Sequence, residues 1–133
     1  MTNEGIQRDD LASDLILALL AVNSWSLEQV GRLYDALHAN DLFNVASLCS
    51  LGIDRIQERL AAAGYDRGPV LGRMMAVRMH HVACALANGG ADRLLEFENA
   101  GNRRAARDYL LTLNGVGPTV ADSYQLLRSS ARA

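Results

Sequence analysis

Apolar residues recur with helical spacing over most of the chain. The first such run extends from Leu11 to about Val22 and is hydrophobic nearly all round, as a helix in the centre of a bundle would be. Before it, Thr2–Asp10 is polar and predicts a flexible N-terminus. Residues 11–133 are therefore expected to form one helical domain.

The remaining helices are separated by capping residues and glycines. Ser26 and Gln29 form a capping box at the start of the next helix, and Asn40 or Asp41 can cap the one after it. Glycines and Asn88 end later segments. Helices are predicted at about 26–38, 41–50, 53–63, 67–87, 92–99, 103–113 and 118–128, with residues 129–133 as a loose tail.

Composition supports an all-α protein and excludes several other classes. Half of the 133 residues are hydrophobic, while β-branched and aromatic residues are sparse. No apolar run is long enough for a membrane span, and the polar start is not a secretory signal. Cys49 and Cys84 lack the spacing of a zinc or iron–sulfur site, so two buried, reduced thiols in a cytoplasmic protein are expected.

Charge is distributed unevenly along the chain. The net charge is −2, yet residues 1–66 hold four arginines and ten acids, whereas residues 67–133 hold nine arginines and five acids. Such asymmetry can produce a local attractive field for an anion in a mildly acidic protein. All thirteen basic residues are arginine, and the chain contains no lysine.

The most informative segment is Leu110–Asp122, where an apolar helix ends in Gly115-Val116-Gly117 and a second helix starts at Pro118. Glycines at such a turn allow the backbone N–H groups to approach a ligand closely. Pro118 suits the first turn of a helix, where its missing N–H costs nothing. The start of a helix also offers unpaired donors and a positive dipole end to a phosphate.

This segment resembles the helix-hairpin-helix motif of the endonuclease III and 8-oxoguanine DNA glycosylase superfamily. The resemblance extends over about residues 11–128 and includes the polar turn Asn23–Ser26 and the Gly64-Tyr65 turn. It implies a compact six-helix barrel-like bundle with the hairpin at about 103–128. Asn114 replaces the proline usual in the family.

The resemblance also implies a set of contacts with double-stranded DNA. Backbone N–H groups of Gly115, Gly117 and Val120 would bind one phosphate, and Asn23 with Trp25 would probe the groove. Further phosphate contacts are expected from Arg103, Arg104, Arg107 and Arg128. In the family, carbonyls at the positions of Leu111, Leu113 and Val116 can hold a sodium or potassium ion, and no iron–sulfur cluster is expected.

The catalytic pattern of that family is missing. Bifunctional members use a lysine as nucleophile where this chain has Thr119, and a hydroxyl cannot form the required imine. The family's aspartate, which stabilises the cationic sugar, would fall beyond Ala133. Asp122 is too close to Thr119 to take the place of this aspartate. Its carboxylate suits the positive end of the last helix.

Two functions follow as hypotheses. In the first, the chain is a non-catalytic DNA-binding protein related to base-excision glycosylases. In the second, it has lost DNA affinity and is a protein-interaction or regulatory module, or the partner subunit of a split glycosylase. The acidic N-terminal half and the apolar pairs Leu42-Phe43 and Met74-Met75 would favour the second. A residual or assembled enzyme, in which another chain supplies the aspartate, stays open beside these two.

Overall fold

The centre of the structure is the first helix, α1 (Asn3–Leu20). This computed structural model describes the backbone of residues 3–22 and 24–132 and the side chains of residues 11–22 and 24–129. From Leu11 to Ala21 every side chain except that of Asp14 is buried. A helix that is apolar on all sides needs neighbours on all sides, and α1 contacts helices from the middle and the end of the chain.

Eight further α-helices occur in the described residues, together with a kinked segment at Leu86–Gly90, in which Asn88 and Gly89 leave the helical conformation and Gly89 takes φ +111. The helices are α2 (Leu27–Gly31), α3 (Tyr34–Ala39), α4 (Val45–Ser50), α5 (Ile53–Ala62), α6 (Gly68–Ala85), α7 (Ala91–Asn99), α8 (Arg103–Thr112) and α9 (Pro118–Arg132). No strand occurs in the described ranges, so the predicted all-α bundle is confirmed. Helices α2, α6, α7 and α9 pack on α1. Helices α4 and α5 pack on α6, and α8 packs on both α7 and α9.

The ends of the chain differ from the expectation. Residues 3–10, expected to be a flexible terminus, are the first part of α1. At the other end, α9 continues to Arg132 through the segment expected to be loose.

The region between α1 and α5 is also divided differently. The predicted helix 26–38 begins with the expected capping box of Ser26 and Gln29 but breaks after Gly31, a residue of low helix propensity. Asp41 takes φ +60 after α3, and Asn44 caps α4 through Ser47 N–H at 3.1 Å. The predicted cap at Asn40 or Asp41 is therefore wrong, because the chain first reverses there.

The expectation of two buried, reduced thiols is wrong as well. Cys49 on α4 and Cys84 on α6 form a disulfide, and both are partly exposed. Because α4 packs along α6, their Cα atoms lie 4.7 Å apart, within the range of a disulfide. In the described part of the chain, no helix is long and apolar enough to cross a bilayer.

A buried ionic network joins α1, α7 and α9. Arg128 on α9 is 9 % exposed, and its guanidinium binds Asp14 of α1 at 3.1 Å and Glu98 of α7 at 3.0 Å. The Tyr124 hydroxyl donates to the other oxygen of Glu98 at 2.6 Å. Burial, and then Glu98, raises the pKa of Tyr124, so the hydroxyl keeps the proton that it donates.

The same network keeps Arg128 charged inside the protein. Burial acts to lower its pKa, but Tyr124, Glu98 and Asp14 outweigh this effect and raise it. Buried charges are tolerated when they are paired and hydrogen-bonded. No side-chain nitrogen or oxygen that is buried in the described residues lacks a hydrogen-bond partner.

We expect Arg128→Ala to lower the free energy of unfolding by about 3–5 kcal/mol, because both carboxylates lose the guanidinium while they stay in the interior. Urea denaturation measures this loss. Arg32→Ala is the matched control: its ion pair with Glu28 is 71 % and 78 % exposed, so a loss below about 1 kcal/mol is expected. A similar small loss for both variants would contradict the structural role of the network.

Candidate nucleic-acid interface

The turn between α8 and α9 has the geometry that its glycines suggest. After α8, Leu113 is extended, and Gly115 takes φ +92, a conformation that favours glycine. Val116 is 6 % exposed and packs into the core, and its N–H donates to the Leu113 carbonyl at 3.1 Å. The buried valine therefore holds an otherwise exposed turn against the bundle.

The turn presents backbone donors that nothing else in the described residues uses. The N–H groups of Gly115, Gly117, Thr119 and Val120 have no acceptor there. Gly115 and Thr119 are exposed, Gly117 is partly exposed, and Val120 is 5 % exposed. Helix α9 has 15 residues, and these donors lie at its N-terminal end, which is the positive end of the helix dipole.

Arg78 of α6 lies directly beneath this turn. A Cβ placed on Gly115 would lie 3.0 Å from Cγ and 3.2 Å from Cβ of Arg78. The guanidinium is partly buried, with Nη1 3.8 Å from the sulfur of Met75. Among the described residues no carboxylate pairs with Arg78, so no ion pair neutralises the charge of the side chain on which the turn packs.

A second cationic group lies at the loop after α1. The Arg67 guanidinium lies 5.7 Å from the ring centroid of Trp25 and 5.4 Å from that of Tyr65. It donates to the Val22 carbonyl at 3.2 Å and to the Tyr65 hydroxyl at 3.0 Å. The Tyr65 hydroxyl donates in turn to the Leu20 carbonyl at 2.7 Å, which fixes the end of α1.

Tyr65 connects the two cationic groups. Burial raises the pKa of its hydroxyl, whereas Arg67 and Arg78 both act to lower it. The charges of both arginines therefore act on one side chain. Trp25 is partly exposed, packs 4.9 Å from the Tyr65 ring, and is thus a core-anchored residue with one accessible part.

Of the three arginines expected beside the turn, two lie elsewhere and the third forms an ion pair. Arg103 and Arg104 begin α8, and ten helical residues span about 15 Å, so both are at the end remote from Gly115. Gln125 donates to the Arg103 carbonyl at 2.9 Å, which shows that α9 runs antiparallel to α8. Arg107 is nearer the turn but forms an ion pair with Asp122.

The structure contradicts one other predicted contact and does not describe a second. Arg128, expected to contact phosphate, is buried with Asp14 and Glu98, so that prediction is corrected. Asn23, expected to probe the groove, lies outside the described residues. Asp122, expected only to complement the helix dipole, also neutralises Arg107.

The carbonyls expected near a monovalent cation lie around the turn. Leu113 uses one lone pair of its carbonyl for the Val116 N–H and keeps the other. Leu111 and Val116 lie before and within the turn. In the described residues, no group of three or more His, Cys, Asp or Glu side chains could hold a metal ion.

Sequence reasoning missed Arg67 and Arg78. For Arg67 a signal existed, because it follows the Gly64-Tyr65 turn that the family resemblance already singled out. For Arg78 there was none, because its contact with Gly115 joins residues 37 positions apart on different helices.

No protein-family model, no curated protein and no solved structure matches this chain.

We expect Gly115→Ala to lower the free energy of unfolding by about 1–2 kcal/mol, because alanine is strained at φ +92 and its Cβ would press on Arg78. Thermal or urea denaturation measures the loss. Gly117→Ala is the control, since its φ is not positive and no atom lies within 4 Å of a Cβ there. Equal stability of the two variants would contradict the geometry of the turn.

Proposed function

We propose that this protein binds double-stranded DNA through the phosphate backbone, with the α8–α9 turn as the principal contact. The observation that carries the proposal is the set of unused N–H donors of Gly115, Gly117 and Val120 at the start of α9, in a turn that packs on the aliphatic part of Arg78, an arginine with no carboxylate partner in the described residues. A phosphate oxygen accepts hydrogen bonds from such donors, and their association with a positive charge makes these bonds strong.

The open space at Gly117 supports this orientation. A side chain there would meet no protein atom within 4 Å, so the backbone is accessible from outside. A sodium or potassium ion held by carbonyls of Leu111, Leu113 and Val116 beside the phosphate belongs to the same proposal, as does a cytoplasmic location. The Trp25 loop would contact the neighbouring groove, and its aromatic ring suits stacking on an unpaired base.

The protein-interaction alternative has less support. Of the apolar residues expected to favour it, Leu42, Phe43 and Met75 are buried in the core, and only Met74 is exposed. These residues therefore hold the bundle together and do not form a common surface. We retain this alternative as the conclusion to draw if DNA binding fails the test below.

We expect Gly117→Ala to weaken binding to duplex DNA about tenfold or more at low salt. The added methyl group would keep the phosphate away from the N–H donors, and two or more charge-assisted hydrogen bonds would be lost. Fluorescence anisotropy with a labelled duplex measures the affinity. Gly52→Ala is the matched control: Gly52 also precedes a helix, also has open space around a Cβ, and lies outside the proposed contact. Both variants should unfold at nearly the wild-type temperature.

The salt dependence of the same binding tests the charge. Arg78→Gln should reduce the slope of log K against log salt by about 0.9, the effect of one lost phosphate contact. Arg103→Gln should leave the slope unchanged, because Arg103 lies at the remote end of α8. Absence of binding by the wild type, or binding that salt does not weaken, would exclude the proposal and favour the protein-interaction module.

The proposed binding involves no excision of a base and no strand cleavage. Thr119 is exposed at the start of α9, and its hydroxyl stands where the resemblance implies a nucleophilic amine. Since the chain has no lysine, incubation with abasic DNA and borohydride should trap no adduct except one through the amine of Met1. An adduct mapped to any other residue would contradict this expectation.

A further inference from the structure

The contact between α4 and α6 carries a second group of reactive side chains, independent of the proposed DNA contact. Cys49 and Cys84 form a disulfide there, with their Cα atoms 4.7 Å apart. His80 lies one helical turn before Cys84, and its Nε2 is 3.8 Å from the Cys84 sulfur. The other ring nitrogen of His80, Nδ1, lies 3.1 Å from the Leu48 carbonyl.

The Leu48 carbonyl fixes the state of the neutral imidazole. A carbonyl oxygen only accepts hydrogen bonds, so Nδ1 must carry the hydrogen in this contact. Nε2 then has the free lone pair, and this lone pair faces Cys84. In the reduced protein the same nitrogen is therefore placed to take the proton of the Cys84 thiol.

We propose that Cys84 is a redox-reactive thiol with His80 as its base, that Cys49 is the resolving thiol, and that the co-reactant is a low-molecular-weight disulfide. The thiolate is the nucleophile in thiol–disulfide exchange, and a neighbouring histidine favours it. Among the described contacts, the His80 imidazole contacts the sulfur of Cys84 and not that of Cys49. We therefore assign the attacking role to Cys84.

The reaction is balanced in two displacements. His80 Nε2 takes the Cys84 proton, and the thiolate attacks one sulfur of the small disulfide RS–SR, forming a mixed disulfide and releasing RS⁻. The Cys49 thiol loses its proton to solvent and attacks the Cys84 sulfur, forming the Cys49–Cys84 bond and releasing the second RS⁻. Both thiolates take up a proton, so two protein thiols are oxidised and one small disulfide is reduced to two thiols.

The surroundings permit this exchange. Both cysteines are partly exposed, so a small disulfide can reach them. The two sulfurs also connect α4, a helix of six residues, to the long helix α6. In a reducing compartment the pair would be a dithiol that oxidises only when the small-disulfide pool rises.

The first test separates the two cysteines. Each of Cys49→Ser and Cys84→Ser is reduced and treated at pH 7 with glutathione disulfide, and the adducts are followed by mass spectrometry. Cys49→Ser should accumulate a stable mixed disulfide on Cys84, whereas Cys84→Ser should react at least about tenfold more slowly. Wild type should pass through the adduct to the Cys49–Cys84 disulfide. Equal rates for the two variants, or no internal disulfide in the wild type, would overturn the proposal.

The second test concerns His80, in the Cys49→Ser background. His80→Asn keeps an N–H donor for the Leu48 carbonyl but removes Nε2, and it should slow the alkylation of Cys84 by iodoacetamide about fivefold or more at pH 7. The control is His81→Asn, an exposed neighbour, which should stay within about twofold. A merely structural role for His80 would loosen the α4–α6 contact and speed alkylation. An unchanged or faster rate in His80→Asn would therefore overturn the assignment of His80 as base.

Discussion

The position of the last helix depends on one buried guanidinium. Arg128 binds carboxylates from α1 and α7, and Tyr124, one turn earlier on α9, donates to Glu98 as well. Charges taken out of water are tolerated only while their partners remain in place, so these contacts specify how α9 meets α1 and α7. The N-terminal end of α9, with its unused donors, is fixed in consequence.

The two glycines of the turn contribute in different ways. Gly115 satisfies an internal requirement, because its positive φ and its contact with Arg78 exclude a side chain. Gly117 satisfies no such requirement, since space for a side chain is open there. A glycine that the fold does not need leaves the backbone accessible, and this difference separates the residue that shapes the turn from the one best suited to contact a ligand.

Local signals predicted most of the helices, whereas contacts between distant segments escaped prediction. The capping box at Ser26, the stop at Gly64 and the start at Pro118 are local, and each lies where the sequence indicates. The Cys49–Cys84 disulfide and the Arg78–Gly115 contact depend on how helices pack, which helical periodicity does not encode.

The misassigned Arg128 is a different case, because a signal was present. Asp14 interrupts an otherwise buried helix, and a buried carboxylate requires a cationic or hydrogen-bonding partner somewhere in the fold. On α9, Ala121, Tyr124 and Arg128 have the spacing of one helix face, and the first two are fully buried. The combination points to an internal arginine.

Ion pairs in the fold reduce the free positive charge of the C-terminal half. Its excess of arginines over acids is a property of the sequence, but in the fold Arg73 pairs with Asp54 and Arg128 with Asp14, two acids of the other half. Arg107 is neutralised by Asp122 beside the turn. At least three of the nine arginines in this half therefore pair with carboxylates, and the count from the sequence overstates its free positive charge. In the proposed DNA contact, the attraction for a phosphate would depend on the backbone donors of the turn and on Arg78, so binding strength should come mainly from oriented hydrogen bonds at one place. Such a contact recognises the backbone of a nucleic acid and carries no sequence information of its own.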